Sequence, residues 1–341
     1  MPRHKTIPDL AREAHVSVST IDRILSGRGQ VKQATVEHVL AVAEEIGFYA
    51  VETIRSRVLQ EAPERRFGFL LNGSDRMFYR DLAEELSTTT RKALSMRGQA
   101  IVKHLADTDP EKAAAAMLEL ADHCDAIACV CVDHPAVSAA IGELARRGVP
   151  VVAMISDISS PARAGFVGSN DWQLGRTAGW FAHRLVSPGK AAVLVGSERY
   201  TCQQVHEASF RSFLRSQPDQ FTLIDTRMTK ESDVEAEAVT RRLLEEHPDL
   251  SVLFVAAGGI DGVCNAMAGR ERKDLILIGC EMTNSTRSRM SSGEIDVLLA
   301  HPLSEIAKRT VQALVKLVTS PQQDQPFQVI VPFTVIVSEN C

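Results

Sequence analysis

Val16-Ser17-Val18-Ser19-Thr20-Ile21-Asp22-Arg23-Ile24-Leu25 is the stretch on which the reading of this chain turns. Ser17 is a good N-cap, because its hydroxyl can accept from an amide in the first helical turn. Ile21, Ile24 and Leu25 then share one face of a helix, leaving Val18, Ser19, Asp22 and Arg23 on the other. Upstream, Thr6 can cap a preceding helix, with Asp9 three positions on as a capping-box partner. Ile7, Leu10, Ala11 and Ala14 form its apolar stripe, and His15-Val16-Ser17 breaks the pattern. Downstream, Gly27-Arg28-Gly29 supplies a flexible stop. Val36, Val39, Leu40, Ala43 and Ile46 follow at helical spacing, closed by Gly47. Two short helices around a tight turn, braced by a third, describe a helix-turn-helix.

Charge separates this head from the rest. Residues 1–32 hold six Lys/Arg against three acids, whereas the other 309 hold 32 against 40. A basic head on an acidic body suits a module that touches a polyanion. The 341 residues are 45% hydrophobic and 24% charged, with a net charge of −5, which excludes wholesale disorder and a fibrous fold. No apolar run approaches the ~20 residues a membrane span needs. Met1-Pro2-Arg3-His4-Lys5 leads into a polar helix without an apolar signal core, so a cytoplasmic protein is expected. Seven cysteines, at 124, 129, 131, 202, 264, 280 and 341, show neither a CxxC pair nor zinc-finger spacing. Buried reduced thiols are the expectation, with no metal.

The quoted segment, together with Thr6-Ile7-Pro8-Asp9-Leu10-Ala11, Val31, Thr35-Val36 and Ala43-Glu44-Glu45-Ile46-Gly47-Phe48, resembles the headpiece of the lactose-repressor family. The resemblance implies that the second helix enters the major groove of DNA. Val18 and Ser19 would then be the main base readers, with Thr20 and Arg23 on phosphate or base. Thr6, Ser17 and Thr35 would anchor the backbone. Val18, lacking a polar edge, can only meet a thymine methyl or fill space. Asp22 stands where the family usually has Ser. It could accept from cytosine N4, or it could cap or pair with a neighbouring Arg, which is the preferred reading because a carboxylate near phosphates is costly. His15 replaces the family's turn glycine and tolerates a positive φ better than most residues. In the family, residues equivalent to 50–65 form a short helix on DNA that pushes a paired leucine into the minor groove. Here the usual Pro-Asn start is missing and Arg57 stands at the leucine position. Three readings stay open: Arg57 reads a narrow minor groove, Leu59 supplies the wedge, or the stretch is a plain basic linker.

From Phe67 onward, strand-like runs alternate with amphipathic segments. Strands are expected at 67–71, 100–104, 126–132, 151–155 and 165–167, and, after Pro188-Gly189, at 191–195, 222–225, 252–255 and 275–278, with a last one at 333–337. Helical segments such as 109–123, 136–147 and 234–247 make these βαβ units. Two consecutive sets predict two doubly wound parallel-sheet α/β lobes with a cleft between them. Ligands bind at the carboxyl ends of such strands. The loops there carry Asn72, Asp75, Arg76, Phe78 and Tyr79, then Asp133-His134, Asp157 and Asn170-Asp171-Trp172. The second set offers Glu198-Arg199-Tyr200, His206, Gly258-Gly259-Ile260-Asp261, Glu281 and His301-Pro302. Aromatic faces among carboxylates, Arg and His suit a neutral polyhydroxylated ligand.

Over 67–337 the body resembles the ligand-binding core shared by the same family and the ribose-type periplasmic binding proteins. Gly168-Ser-Asn170-Asp171-x3-Gly175 and Ile278-Gly279-x-Glu281 are its clearest marks. The resemblance implies that Phe78 and Tyr79 stack on a sugar, while Asp157, Asp171, His206, Glu281 and His301 take its hydroxyls. The pocket departs from the family: His206 replaces its arginine, Glu281 its Asp, His301 its Gln, and Gly258-Gly259 its Asn-Asp step. His134 and Arg199 are left open between ligand contact and a structural role.

The expected organisation is a small all-α headpiece (1–49), a hinge (50–66) and a two-lobed effector-binding and dimerisation domain (67–341). Its first lobe covers about 67–167 plus 302–320, its second about 168–300 plus 326–341. No GxSxG, GxxxxGK[ST] or HExxH occurs, so no enzyme and no cofactor are expected. The implied function is a ligand-responsive transcriptional regulator, a repressor. It would act as a homodimer on a near-palindromic double-stranded operator and be switched by a small carbohydrate or polyol. The alternative is a cytoplasmic sugar-binding sensor with weak or co-ligand-dependent DNA binding.

Overall fold

The computed structural model describes residues 5–28, 31–60, 62–217, 221–269, 275–320 and 325–341, so Met1–His4 and Gly29, read above as polar start and helix stop, lie outside it. The chain divides into two compact units, residues 1–66 with 88–100, and residues 67–87 with 101–341.

The first unit is helical: α1 (Ile7–Glu13), α2 (Val18–Ser26), α3 (Gln33–Glu45) and α4 (Val51–Gln60). The Thr6–Asp9 capping box forms in full, and the Ser17 hydroxyl accepts from Thr20 N at the start of α2. Between them His15 takes the left-handed conformation, φ 52°, that its glycine-like position demands. Gly27 ends α2 in the same region at φ 68°. Leu10, Ile21, Val39 and Ala43 are wholly buried in the head's core, and the His38 ring reaches Ala14 O at 3.1 Å. This core does not stop at residue 49. Ala50 and Ile54 belong to it, and Val51 packs against it. Arg55 ties α4 to Glu44 of α3. The expected hinge is therefore, through Gln60, a fourth helix of the head, because its apolar residues fall on one face and have a core to bury against.

The second unit carries two sheets. In the first, β1 (Glu64–Asn72), α5 (Met77–Lys92), β2 (Arg97–Leu105), α6 (Pro110–Ala121), β3 (Ala126–Cys129), α7 (Pro135–Arg146), β4 (Val151–Met154) and β5 (Gly165–Gly168) alternate along the chain. The second begins with α8 (Asp171–Leu185), β6 (Lys190–Val195), α9 (Thr201–Arg215), β7 (Thr222–Leu223), β8 (Arg227–Met228) and α10 (Asp233–Glu246). It continues with β9 (Leu250–Val255), α11 (Ile260–Met267), β10 (Ile276–Gly279), α12 (Asn284–Ser291) and β11 (Val297–Ala300). The chain then returns as α13 (Leu303–Thr319) and β12 (Phe327–Ile330) before β13 (Thr334–Ile336). Strand order is β12-β5-β4-β3-β1-β2 in one sheet and β13-β11-β10-β9-β6-β7 in the other, with β8 also on β6. Both faces of the second sheet are covered, and residues alternate between them. Leu253 and Val255 enter the core under α10 and α11, while Val252 and Phe254 enter the one under α8 and α9.

The last strands depart from expectation. Residues 326–341 do not all join the second lobe, because β12 pairs in parallel with β5, Phe327 opposite Gly165. Gly165 explains the choice, since a Cβ there would lie 2.6 Å from the Phe327 ring, which needs the bare backbone to pack. The chain thus crosses between lobes after β5, after β11 and after β12. The short strands β8 and β11 escaped the sequence reading as well.

If α4 is part of the head, Ile54→Ala should cost the first unit about 2–4 kcal/mol. Amide exchange through α1–α4 should accelerate while exchange in the two sheets stays unchanged; a plain linker would leave both alone.

Candidate functional site

Two surfaces concentrate chemistry. On the head, α2 buries Ile21 and Ile24 and turns Val18, Ser19, Asp22 and Arg23 outward. Val18 is 43% exposed, high for an apolar residue. Ser17 Oγ lies 2.8 Å from both Ser19 Oγ and Thr20 Oγ1, so three hydroxyls cluster at the helix start, where amide dipoles favour an anion. Thr35 sits half-buried on α3. Thr6 is engaged in its capping box, which with Arg12 holds the Asp9 carboxyl well below the usual range. The Asp22 carboxylate makes no hydrogen bond or ion pair among the described residues, and its backbone carbonyl accepts from Ser26 Oγ. Arg57 is exposed on α4 with its guanidinium beside the end of α2, 3.6 Å from where a Gly27 Cβ would be.

The second surface is a cleft between the lobes of the body, enclosing about 40 Å³ of free space. Phe78 and Tyr79, buried at the start of α5, present rings at 83° to one another. His206 from α9 and His301 after β11 stack with centroids 6.4 Å apart, and Glu281 follows β10. Asp171 joins through His206, whose Nε2 is 3.0 Å from Asp171 Oδ1. Asp157 does not come to this site. Its two oxygens are taken by Arg163, at 2.8 and 3.0 Å, and Ile158 N donates to it at 2.8 Å, so the residue braces its own loop. His134 caps α7, and the Arg199 side chain is exposed while its carbonyl accepts from Asp133 N across the lobes.

Arg76 from the first lobe binds both Glu231 and Glu281 of the second. Burial works against its charge, but Glu281 and Glu231 more than offset that and raise its pKa. Glu231 also accepts from Gln203 Nε2 at 2.6 Å and Gly258 N at 3.3 Å. Asn72 reaches across to the Tyr200 hydroxyl. Burial raises the pKa of Glu281, with Glu231 adding to the shift and Arg76 opposing it. Burial, reinforced by His206, lowers the pKa of His301 to about 4, so it is a neutral acceptor or donor at working pH. Cys202 and Cys280 line the cleft as inert thiols, pushed up by burial. Strain gathers here: Ile155, a β-branched residue, sits at φ 62°, and Lys230 and Glu231 follow one another at 53° and 59°.

Phe78, Tyr79, His206, Glu281 and His301 are thus brought together, with Asp171 behind them. Glu231 and Gln203 were not foreseen. Glu231 lies in a turn with no glycine and no motif, and Gln203 reads as an ordinary helical residue. Arg76 and Tyr200 stood in the right loops but had no family residue to mark them.

Comparison with known proteins covers both the body and the head. Residues 67–322 match the profile of the periplasmic binding protein domain, and residues 6–50 that of bacterial regulatory proteins of the lacI family. The ribose operon repressor of Halalkalibacterium halodurans is 24% identical over 286 residues, 80% of this chain and 79% of that protein. The maltose regulon regulatory protein MalI of Escherichia coli K12 is 34% identical over 96 residues, 28% of this chain and 26% of its own length. Among solved structures, a solute-binding protein of Burkholderia graminis in complex with D-arabinose superposes with a TM-score of 0.73 at 20% identity, covering 83% of this chain and 98% of that one. The glucose-galactose binding protein GanP of Geobacillus stearothermophilus does so with 0.71 at 19% identity, covering 81% and 99%. At these identities the structures show the fold.

The depressed pKa of His301 has a consequence of definite sign. Between pH 6.5 and about 4 the unfolded chain binds a proton at this residue that the folded chain refuses. Stability is therefore lost as pH falls through that window, by about 3 kcal/mol from this group. Chemical denaturation at pH 7 and pH 4.5 should show a smaller pH-dependent loss for His301→Gln than for the parent protein. Equal losses would place the residue's titration elsewhere.

Proposed function

This chain belongs to the periplasmic-binding-protein domain family through its body and to the lacI family of bacterial regulatory proteins through its head, and we propose that it is a homodimeric repressor whose operator affinity is set by a small sugar or polyol held between its lobes. It is a DNA-binding regulator of transcription rather than an enzyme. The observation that carries the reading is the division of α2 into a buried apolar face and an outward face of Val18, Ser19, Asp22 and Arg23. That face offers a methyl-sized contact, a hydroxyl, an acceptor and a bidentate donor, the vocabulary of base edges in the major groove. Thr20, Ser17, Thr6 and Thr35 carry hydroxyls suited to phosphate oxygens, and Arg57 adds a cation at the other end of α2.

One such head buries too little surface for specific recognition, so two act together on a near-palindromic site. Operator binding places the protein where the chromosome is, in the cytoplasm. No described helix is long and apolar enough to cross a membrane. For the effector, the support is the pair Phe78–Tyr79 against Asp171, His206, Glu281 and His301, and likeness to proteins whose names specify ribose, D-arabinose, glucose and galactose. An effector alters DNA affinity only by binding one lobe arrangement more tightly than another. Two lobes joined by three crossings provide those arrangements.

Selection of bound fragments from a random duplex pool, at near-physiological salt and without ligand, should enrich an inverted repeat; a featureless pool would sink the operator reading. Arg23→Ala should weaken binding to the selected site by roughly 10- to 100-fold, the worth of one good bidentate contact, without moving the body's melting temperature. Asp22→Ser should change the preferred base at one position of each half-site. Sedimentation at micromolar concentration should report a dimer.

A further inference from the structure

Among the described residues, Arg76 is the cation paired with Glu231 and Glu281, the two carboxylates that line the effector cleft. It springs from the first lobe and ends between Glu231 and Glu281 of the second, all three side chains being at most 15% exposed. The place it fills is shaped for it. A Cβ on Gly258 would fall 2.0 Å from Arg76 Nη2 and 2.2 Å from Cζ, so the bare backbone there makes a slot for a planar cation. Gly196 likewise clears the way for Glu231, since a Cβ there would meet Oε1 at 1.7 Å. The guanidinium also lies 4.9 Å from the centre of the Tyr79 ring.

Two further observations bear on what enters. The free space of about 40 Å³ admits a few water-sized groups and no sugar ring, so a ligand of that size takes over volume that a side chain now holds. Arg76, whose head fills the slot at Gly258 against Glu231 and Glu281, is the side chain whose withdrawal opens that volume beside the two carboxylates. Second, the remaining unpaired capacity is for donors. His206 is 1% exposed, and with Nε2 facing the Asp171 carboxylate its Nδ1 is left as an acceptor without a partner among the described residues; Asn72 Oδ1, in a residue 5% exposed, is another. Withdrawing a guanidinium from two buried carboxylates is costly unless something of the same charge replaces it. Neutral hydroxyls satisfy the hydrogen bonds but not the charge.

We propose that Glu231, Glu281 and Gly258 form a cation subsite of the effector pocket, occupied here by the chain's own Arg76, and that the effector carries a basic nitrogen, as an amino sugar or aminopolyol does, which takes the guanidinium's place. This rests on the reading of the cleft as the effector site. The exchange makes Arg76 an internal competitor: it joins the lobes by itself, and an effector must displace it.

The test uses the full chain carrying Arg76→Ala, with its fold checked by circular dichroism. Guanidinium chloride at about 10 mM is compared with urea, its neutral isostere, and with sodium chloride. Guanidinium should raise the variant's melting temperature by on the order of 3 °C over the salt control, and urea should not. The parent protein should respond to neither. Adding Gly258→Ala to the variant should abolish the rescue, because the slot is then filled. If the alanine variant does not fold, Arg76→Met, which keeps the stem, is read in the same way. Equal rescue by urea would overturn the proposal in favour of a neutral donor group, as would rescue by neither or rescue that survives Gly258→Ala. The duplex selection needs no ligand, so a failure here is distinguishable from a failure of the regulator reading.

Discussion

A guanidinium held by two carboxylates of the facing lobe is the buried ion contact that joins the two halves of the body. Each lobe has its own sheet and its own buried core. They are connected by three chain crossings and by polar contacts that include Arg76 on Glu231 and Glu281, Asn72 on Tyr200, Cys202 N on Ser156 Oγ, and Asp133 N on Arg199 O. Buried ion pairs of this kind contribute little net stability, because desolvation offsets the attraction, but losing one partner is severe. Such a contact specifies an arrangement rather than strengthening a fold. It is the kind of link a ligand can exchange with, whereas a continuous apolar interface would resist.

The backbone around that contact is correspondingly unusual. Glu231 follows Lys230 with both at positive φ, in a turn where neither residue is glycine, and Ile155 is a β-branched side chain in the same region of φ. Such conformations persist only where the surroundings over-determine them. For Glu231 the surroundings are Arg76, Gln203 and Gly258 N; for Ile155 they are the ladder to Val167 O and the adjoining Ser156, which accepts from Cys202 N across the lobes. By contrast His15, also at positive φ, has a plain structural purpose in the turn before α2.

Much of this was legible in the sequence, and the limit falls at identifiable residues. The head announced itself because Thr6, Ser17 and Gly27 are local signals whose meaning is set within one turn of helix. The strands of the body showed as apolar runs because both faces of each sheet are buried. β12 was misplaced because its partner choice depends on Gly165, some 160 residues away, making room for Phe327. Aromatic and histidine residues of the cleft were found by position, yet Asp157 was not separable from them, since only the fold reveals that Arg163 claims it. Glu231 had no sequence signal at all. Gly258 was noticed as a departure from the family, but its meaning, a slot for Arg76, needed three dimensions.

The same logic governs the segment after the third helix. A hinge that is a coil off DNA and a helix on it binds at the cost of ordering itself, and its affinity reports that cost. Here Ile54 is wholly buried in the head, Ala50 and Val51 join it, and Arg55 is tied to Glu44. Detaching α4 would expose that apolar surface and leave a gap under α2 and α3. Helix formation in this segment is therefore coupled to the folding of the head rather than to contact with the operator. Arg57, at the position where the resemblance puts a wedging leucine, holds its charge beside Gly27 at the end of α2. A cation attracts phosphates without unstacking bases, so on the proposed reading Arg57 would give this head an electrostatic contact in place of a wedge.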